Sequence, residues 1–131
     1  MLALVFALQT VAVQNVHVIP MDREHVLRDH VVLVQDGRIT AVGRRGSVPI
    51  PSGARRIDGR GGYLVPGLAD LHVHVRLRTD LVAYLAYGVT TVADMGGPDR
   101  VRAWRDSIRA GSAPGPQVFV GYFVDGAGRR G

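Results

Sequence analysis

Hydrophobic and polar positions change rhythm near the middle of the chain. Up to about residue 65 the apolar residues come in short, often alternating runs. Val11, Val13, Val16, Val18 and Ile19 lead to Pro20, which ends a strand. Met21 to Asp29 is polar and reads as a loop. Val31 to Gln35 and Arg38 to Gly43 flank Asp36-Gly37, and Asp-Gly fits the positive φ angles of a two-residue hairpin turn. Ser47 to Gly53, with Pro49 and Pro51, is a loop. Two short strands follow, at Arg55–Asp58 and Tyr63–Val65, separated by Gly59-Arg60-Gly61-Gly62. The pattern predicts a small β unit over residues 11–65.

Beyond that point strands and helices alternate. Leu68 to Val75 reads as a buried strand. Thr79 is the expected N-cap of a helix carrying Leu81, Val82 and Leu85, with Gly88 at its C-terminal end. Val89 to Ala93 is a β-branched strand that ends at Asp94. Gly96-Gly97-Pro98-Asp99 turns into a helix with Val101, Trp104 and Ile108 on one stripe, closed by Gly111. Gln117 to Gly121 is the third apolar strand. Apolar strands alternating with helices predict parallel β/α units, and Trp104 is expected in the core.

Composition narrows the chemistry. At 47% hydrophobic residues over 131 positions the chain is globular. It has no cysteine, which excludes disulfides and thiolate metal sites. The net charge is +5, and every one of the 16 basic residues is arginine. The arginines are scattered, as at Arg44-Arg45, Arg55-Arg56 and Arg129-Arg130, with no interleaved aromatics to stack on bases, so nucleic-acid binding is not expected. The run Leu2–Leu8 is too short to span a membrane and lacks a preceding basic residue; it is the trimmed end of an export signal or a first strand. Localisation, cytoplasmic or exported, stays open.

The chemistry concentrates in Leu64-Val65-Pro66-Gly67-Leu68-Ala69-Asp70-Leu71-His72-Val73-His74-Val75. Strict alternation in a strand puts Asp70, His72 and His74 on one face. The two histidines are about 7 Å apart at the backbone, so one divalent metal can bridge their rings. The other reading is a pair of hydrogen-bonded core histidines. Asp70 is either a carboxylate that orients a histidine or a buried acid satisfied by backbone amides. Asp94 lies at the C-terminal end of a parallel strand, where the chemistry of parallel β/α folds sits; it either takes part there or caps the turn into Gly96-Gly97, and the cap is the favoured reading. His17, His25 and His30 read as surface residues, and Tyr122 and Asp125 follow the third strand at positions that could line a substrate pocket, though nothing in the pattern requires it.

The segment Val65 to His74 resembles the first barrel strand of the amidohydrolase superfamily, in its imidazolonepropionase-like and dipeptidase-like branches. Gly88 to Gly97 is similar to that family's second strand and loop. The resemblance implies an α/β fold: a partial (β/α)8 TIM-type barrel, its first three β/α units over residues 66–131, preceded by part of a small β-sandwich over 11–65. It implies hydrolysis of a carbon–nitrogen bond in an amide, cyclic amide or dipeptide-like small molecule by metal-activated water. His72 and His74 are then metal ligands, with zinc the expected metal. The family's later ligands and its general base are expected beyond the C-terminus, and no bridging carbamate can come from these 131 residues, which include no lysine. A complete barrel takes roughly 250 residues, so an incomplete N-terminal portion, inactive alone, is expected. The alternative is a non-catalytic remnant or assembly module. A homo-oligomer is compatible with either.

Overall fold

The computed structural model describes residues 10–122, and within them the chain is mixed α/β. It divides between Pro66 and Gly67 into two compact units. The run Leu2–Leu8, Asp125 and the glycine-rich end lie outside the described residues.

The first unit is a four-stranded sheet of β1 (Thr10–Val18), β2 (Leu27–Gln35), β3 (Arg38–Arg44) and β4 (Arg55–Leu64), in the order β3-β2-β1-β4. β2 pairs antiparallel with both neighbours, and β4 runs parallel to β1. The hairpin forms as Asp36-Gly37 predicts, with φ of 52° and 74°. The loop after Pro20 is shorter than expected, because β2 begins at Leu27 rather than Val31. Val16, Val18 and Val32 form the buried cluster, with Val13, Leu27, Val34 and Leu64 against it.

The two strands expected on either side of Gly59–Gly62 are one strand. Gln14 pairs with Asp58 and Val16 with Gly62, so four steps along β4 match two along β1. The surplus is absorbed in a bulge with Arg60 at φ 53° and Gly61 at φ 74°. The Asp58 carboxylate stitches it, accepting the Arg60 N–H at 2.9 Å and the Asn15 side-chain amide at 3.0 Å. Those two bonds, the backbone one first, hold Asp58 below the usual aspartate range. A Cβ at Gly59 would collide with Val16 Cγ1, so glycine here permits close approach of strands rather than separating them.

The second unit is a parallel sheet in the order β5-β6-β7, from β5 (Leu68–Val73), β6 (Val89–Asp94) and β7 (Gln117–Val120). α1 (Arg78–Ala86) and α2 (Asp99–Arg109) connect the strands. Val73, Val75, Leu81, Val92, Val101 and Val118 make the core, with Tyr84, Trp104 and Ile108 packed against it. Trp104 therefore lines the core and is only partly buried.

Two expectations change here. α1 has Leu77 at its N-cap, and Thr79 lies inside the first turn. The capping group is Asp80, whose Oδ2 accepts the N–H groups of Leu77 at 2.8 Å and Arg76 at 3.0 Å. Gly88 closes the helix at φ 79°, as its position predicts. β5 is not the buried strand expected: Val73 alone of its residues is buried, and Leu68 and Leu71 are 59% and 66% exposed. It is an edge strand of this sheet among the described residues, and within the unit the described residues add no second layer on the sheet face turned away from the helices. Phe119, one residue along from buried Val118, is half exposed for the same reason.

Candidate functional site

The site is built where β5 ends. Val73 and Val75 point into the core, at 4% and 3% exposure. His72 and His74 alternate with them and are exposed on the opposite side. Their ring centroids are 5.4 Å apart with the planes at 73°. Neither ring makes a hydrogen bond among the described residues, so the reading as bonded core histidines does not describe them. The core valines fix the backbone and leave both imidazoles turned outward together.

Asp70 does not join them. It pairs with Val92 while Val73 pairs with Asp94, so three steps on β5 match two on β6 and the alternation breaks between them. Directly paired residues point to the same face, and Asp70 thus shares the helix-side face with Val92. The Tyr84 phenol on α1 registers this: burial pushes it up first, and the negative charges of Asp70, Asp80 and Asp94 add to the shift. Asp70 is exposed, and its Oδ1 accepts the backbone N–H of His72 at 3.2 Å. It is neither a buried acid nor a partner of an imidazole.

Among the described residues Asp94 is the buried acid of the unit, at 1% exposure. It does not cap the Gly96-Gly97 turn. Its Oδ2 accepts the N–H of Val75 at 2.8 Å, across nineteen residues of sequence. Around it the strand ends are laced together: Met95 N–H donates to Val73 C=O at 2.9 Å, and Gly121 N–H to Asp94 C=O at 2.8 Å. Asp94 Oδ1 is buried with no partner among the described residues.

The remaining candidates are elsewhere occupied. His17 accepts the Asp29 N–H at 3.2 Å and packs edge-on against Tyr63. His30 Nδ1 lies 2.8 Å from the Arg28 carbonyl, and His25 Nδ1 lies 3.3 Å from the Arg23 carbonyl. All three are partly buried rather than free surface groups. Tyr122, just past β7, is 80% exposed with the Arg102 guanidinium 4.6 Å from its ring centre.

A divalent metal fits the donor set in part. Two imidazoles without competing bonds among the described residues suit zinc and other metals of similar softness. Among the described residues no group of three or more metal-ligating side chains converges, so the chain offers a pair and not a complete shell. Sequence reasoning found that pair; it missed the double cap by Asp80, for which an acid three residues after Leu77 is a usable signal. It also missed the bond from Asp94 to Val75, for which no local signal exists. No described helix is long and apolar enough to cross a membrane.

No family model matches the chain. Over 63 residues, 47% of the chain, it is 46% identical to an imidazolonepropionase of Stenotrophomonas maltophilia, covering 16% of that protein. Over 71 residues, 53% of the chain, it is 35% identical to a 5-methylthioadenosine/S-adenosylhomocysteine deaminase of Symbiobacterium thermophilum, again covering 16%. Among solved structures, a prolidase-type protein from Bifidobacterium longum superposes with a TM-score of 0.81 at 27% identity, over 92% of this chain and 33% of that one. The chain thus spans a minor part of the length of the proteins it matches.

Proposed function

Because the chain is related in sequence and fold to enzymes of the amidohydrolase superfamily, we propose that it is the N-terminal part of a metal-dependent hydrolase. The substrate class is a small molecule with a carbon–nitrogen bond in an amide, cyclic amide or dipeptide-like group. In this reading β5, β6 and β7 are the first three strands of a (β/α)8 barrel, and residues 11–65 are part of a small β-sandwich.

The observation that carries the reading is the pair of unbonded imidazoles, 5.4 Å apart, at the C-terminal end of a parallel strand. Barrel enzymes place their chemistry at that end. His72 and His74 supply two ligands to a divalent metal, most naturally zinc. The metal, when bound, acts as a Lewis acid and makes water acidic enough to serve as a nucleophile near neutral pH. Val73 and Val75 hold the imidazoles out of the core, and the break in pairing after Asp70 turns that carboxylate away from them. The other ligands and the general base belong to residues outside those described.

A non-catalytic assembly module is the second reading, favoured by the absence of a third ligand among the described residues. Catalytic sites generally use three protein ligands. Capture of the native polypeptide, with its intact mass, metal content and hydrolysis of a panel of small amides, separates the two. The hydrolase reading expects a polypeptide longer than 131 residues that holds a metal and loses both metal and activity in His72→Ala and His74→Ala. Metal content unchanged in both variants overturns it.

A further inference from the structure

We propose that Asp94 is a positioning residue for His74, acting through the backbone of Val75. The inference rests on the metal-site reading for its purpose but not for its geometry. His74 lies one residue beyond the end of β5, where no strand pairing constrains it. Its two neighbours are nonetheless fastened to the end of β6. The Val73 carbonyl accepts from Met95 N–H at 2.9 Å, and the Val75 N–H donates to Asp94 Oδ2 at 2.8 Å. Only the second of these uses a side chain, so only it can be removed by substitution.

The carboxylate is held as tightly as the loop it holds. Gly97 packs directly on it, since a Cβ there would lie 2.6 Å from Asp94 Oδ1. The Asp94 carbonyl accepts from Gly121 at 2.8 Å, which ties the same residue to the end of β7. A carboxylate with one buried oxygen unpartnered among the described residues is an expensive occupant of a core position paired with Val73 and Val120. An apolar residue of similar size would fill the space at lower cost and would leave the Val75 N–H without an acceptor. What Asp94 uniquely contributes is that acceptor, and with it a fixed backbone on both sides of an exposed imidazole. Groups that orient metal ligands from behind commonly affect affinity by about 10–100-fold when removed.

The test uses the whole native polypeptide, labelled with 15N, as wild type, Asp94→Asn, Asp94→Ala and Val92→Ala. Amide hydrogen exchange at Val75 and backbone order at His74 are measured without metal, followed by Zn²⁺ titration. In Asp94→Ala the Val75 amide is expected to lose its protection and His74 to fall to the order parameter of a flexible loop, below about 0.6. Zn²⁺ affinity is expected to drop about 10–100-fold. Asp94→Asn, which keeps an acceptor oxygen, is expected to retain all three properties. Val92→Ala truncates an equally buried neighbour and is expected to leave Val75 as protected, relative to the amides of β5, as in wild type. Unchanged exchange and order in Asp94→Ala, or equal losses in Val92→Ala, overturn the proposal, as does failure of Asp94→Asn to rescue. If the wild-type native polypeptide takes up no Zn²⁺, the metal-site reading fails at that point, while the Val75 and His74 readouts still decide the role of Asp94.

Discussion

The two units treat the same residue type in opposite ways. In the first unit His17, His25 and His30 lie beside backbone donors and carbonyls at 2.8–3.3 Å, so their ring nitrogens help hold turns and strand ends. In the second unit His72 and His74 face each other with no bond among the described residues. The difference comes from what surrounds them. The first three sit where backbone groups outside the regular ladder need partners. The last two sit where Val73, Val75, Asp94 and Met95 have already satisfied the local backbone, so the imidazoles are spare. A side chain free of structural duty is one that can take a ligand.

The sharpest way to break this comparison is to exchange the histidines in two sets. Replacing His72 and His74 by alanine is expected to abolish Zn²⁺ uptake, and replacing His17, His25 and His30 to leave it intact, as read by metal analysis after dialysis. Loss of metal in the second set would show that the two groups are not separated by role. Next in size is the core that holds the pair. Leu81→Ala, at a site 1% exposed, is expected to cost about 2–5 kcal/mol in urea unfolding. Truncation of Ile57, 41% exposed in the first unit, is expected to cost well under half as much. Gly59→Ala tests the bulge: the added Cβ meets Val16 and the Asn15 carbonyl, and a loss of about 1–3 kcal/mol is expected. No loss would mean that β1 and β4 are not locked at that point.

The smallest effect concerns Asp58. Its folded-state pKa lies below the ordinary 3.8, chiefly through the Arg60 N–H and then the Asn15 amide. A depressed carboxylate contributes stability above its unfolded pKa and loses it as pH falls through the folded one. Wild type and Asp58→Asn are therefore expected to differ by a constant amount above pH 3.8 and to converge in more acid solution. The group is fully exposed, so thermal melts should show a slight shift only. A gap that widens on acidification would reverse the sign and refute the assignment.

Local rules reached much of this structure. Asp36-Gly37 specifies its turn because few residues accept two successive positive φ angles. Gly88 and the apolar stripe through Val101, Trp104 and Ile108 mark helix boundaries and faces by spacing alone. The same rules failed at Gly59–Gly62, where glycines that look like a break serve a bulge opposite Asn15. They failed again at Asp70, because a surplus residue in a strand reverses every face after it and leaves no mark in the sequence.

The sequence by itself determined where the two imidazoles of the proposed site stand, their two-residue spacing, and the alternation that turns His72 and His74 the same way. These depend on residue type and on one strand's geometry. Only the tertiary structure decided that Asp70 leaves that group and that Asp94 reaches Val75 across nineteen positions. Both depend on register between strands distant in the chain, which is set by the packing of Val73, Val92 and Val118 and by no local preference.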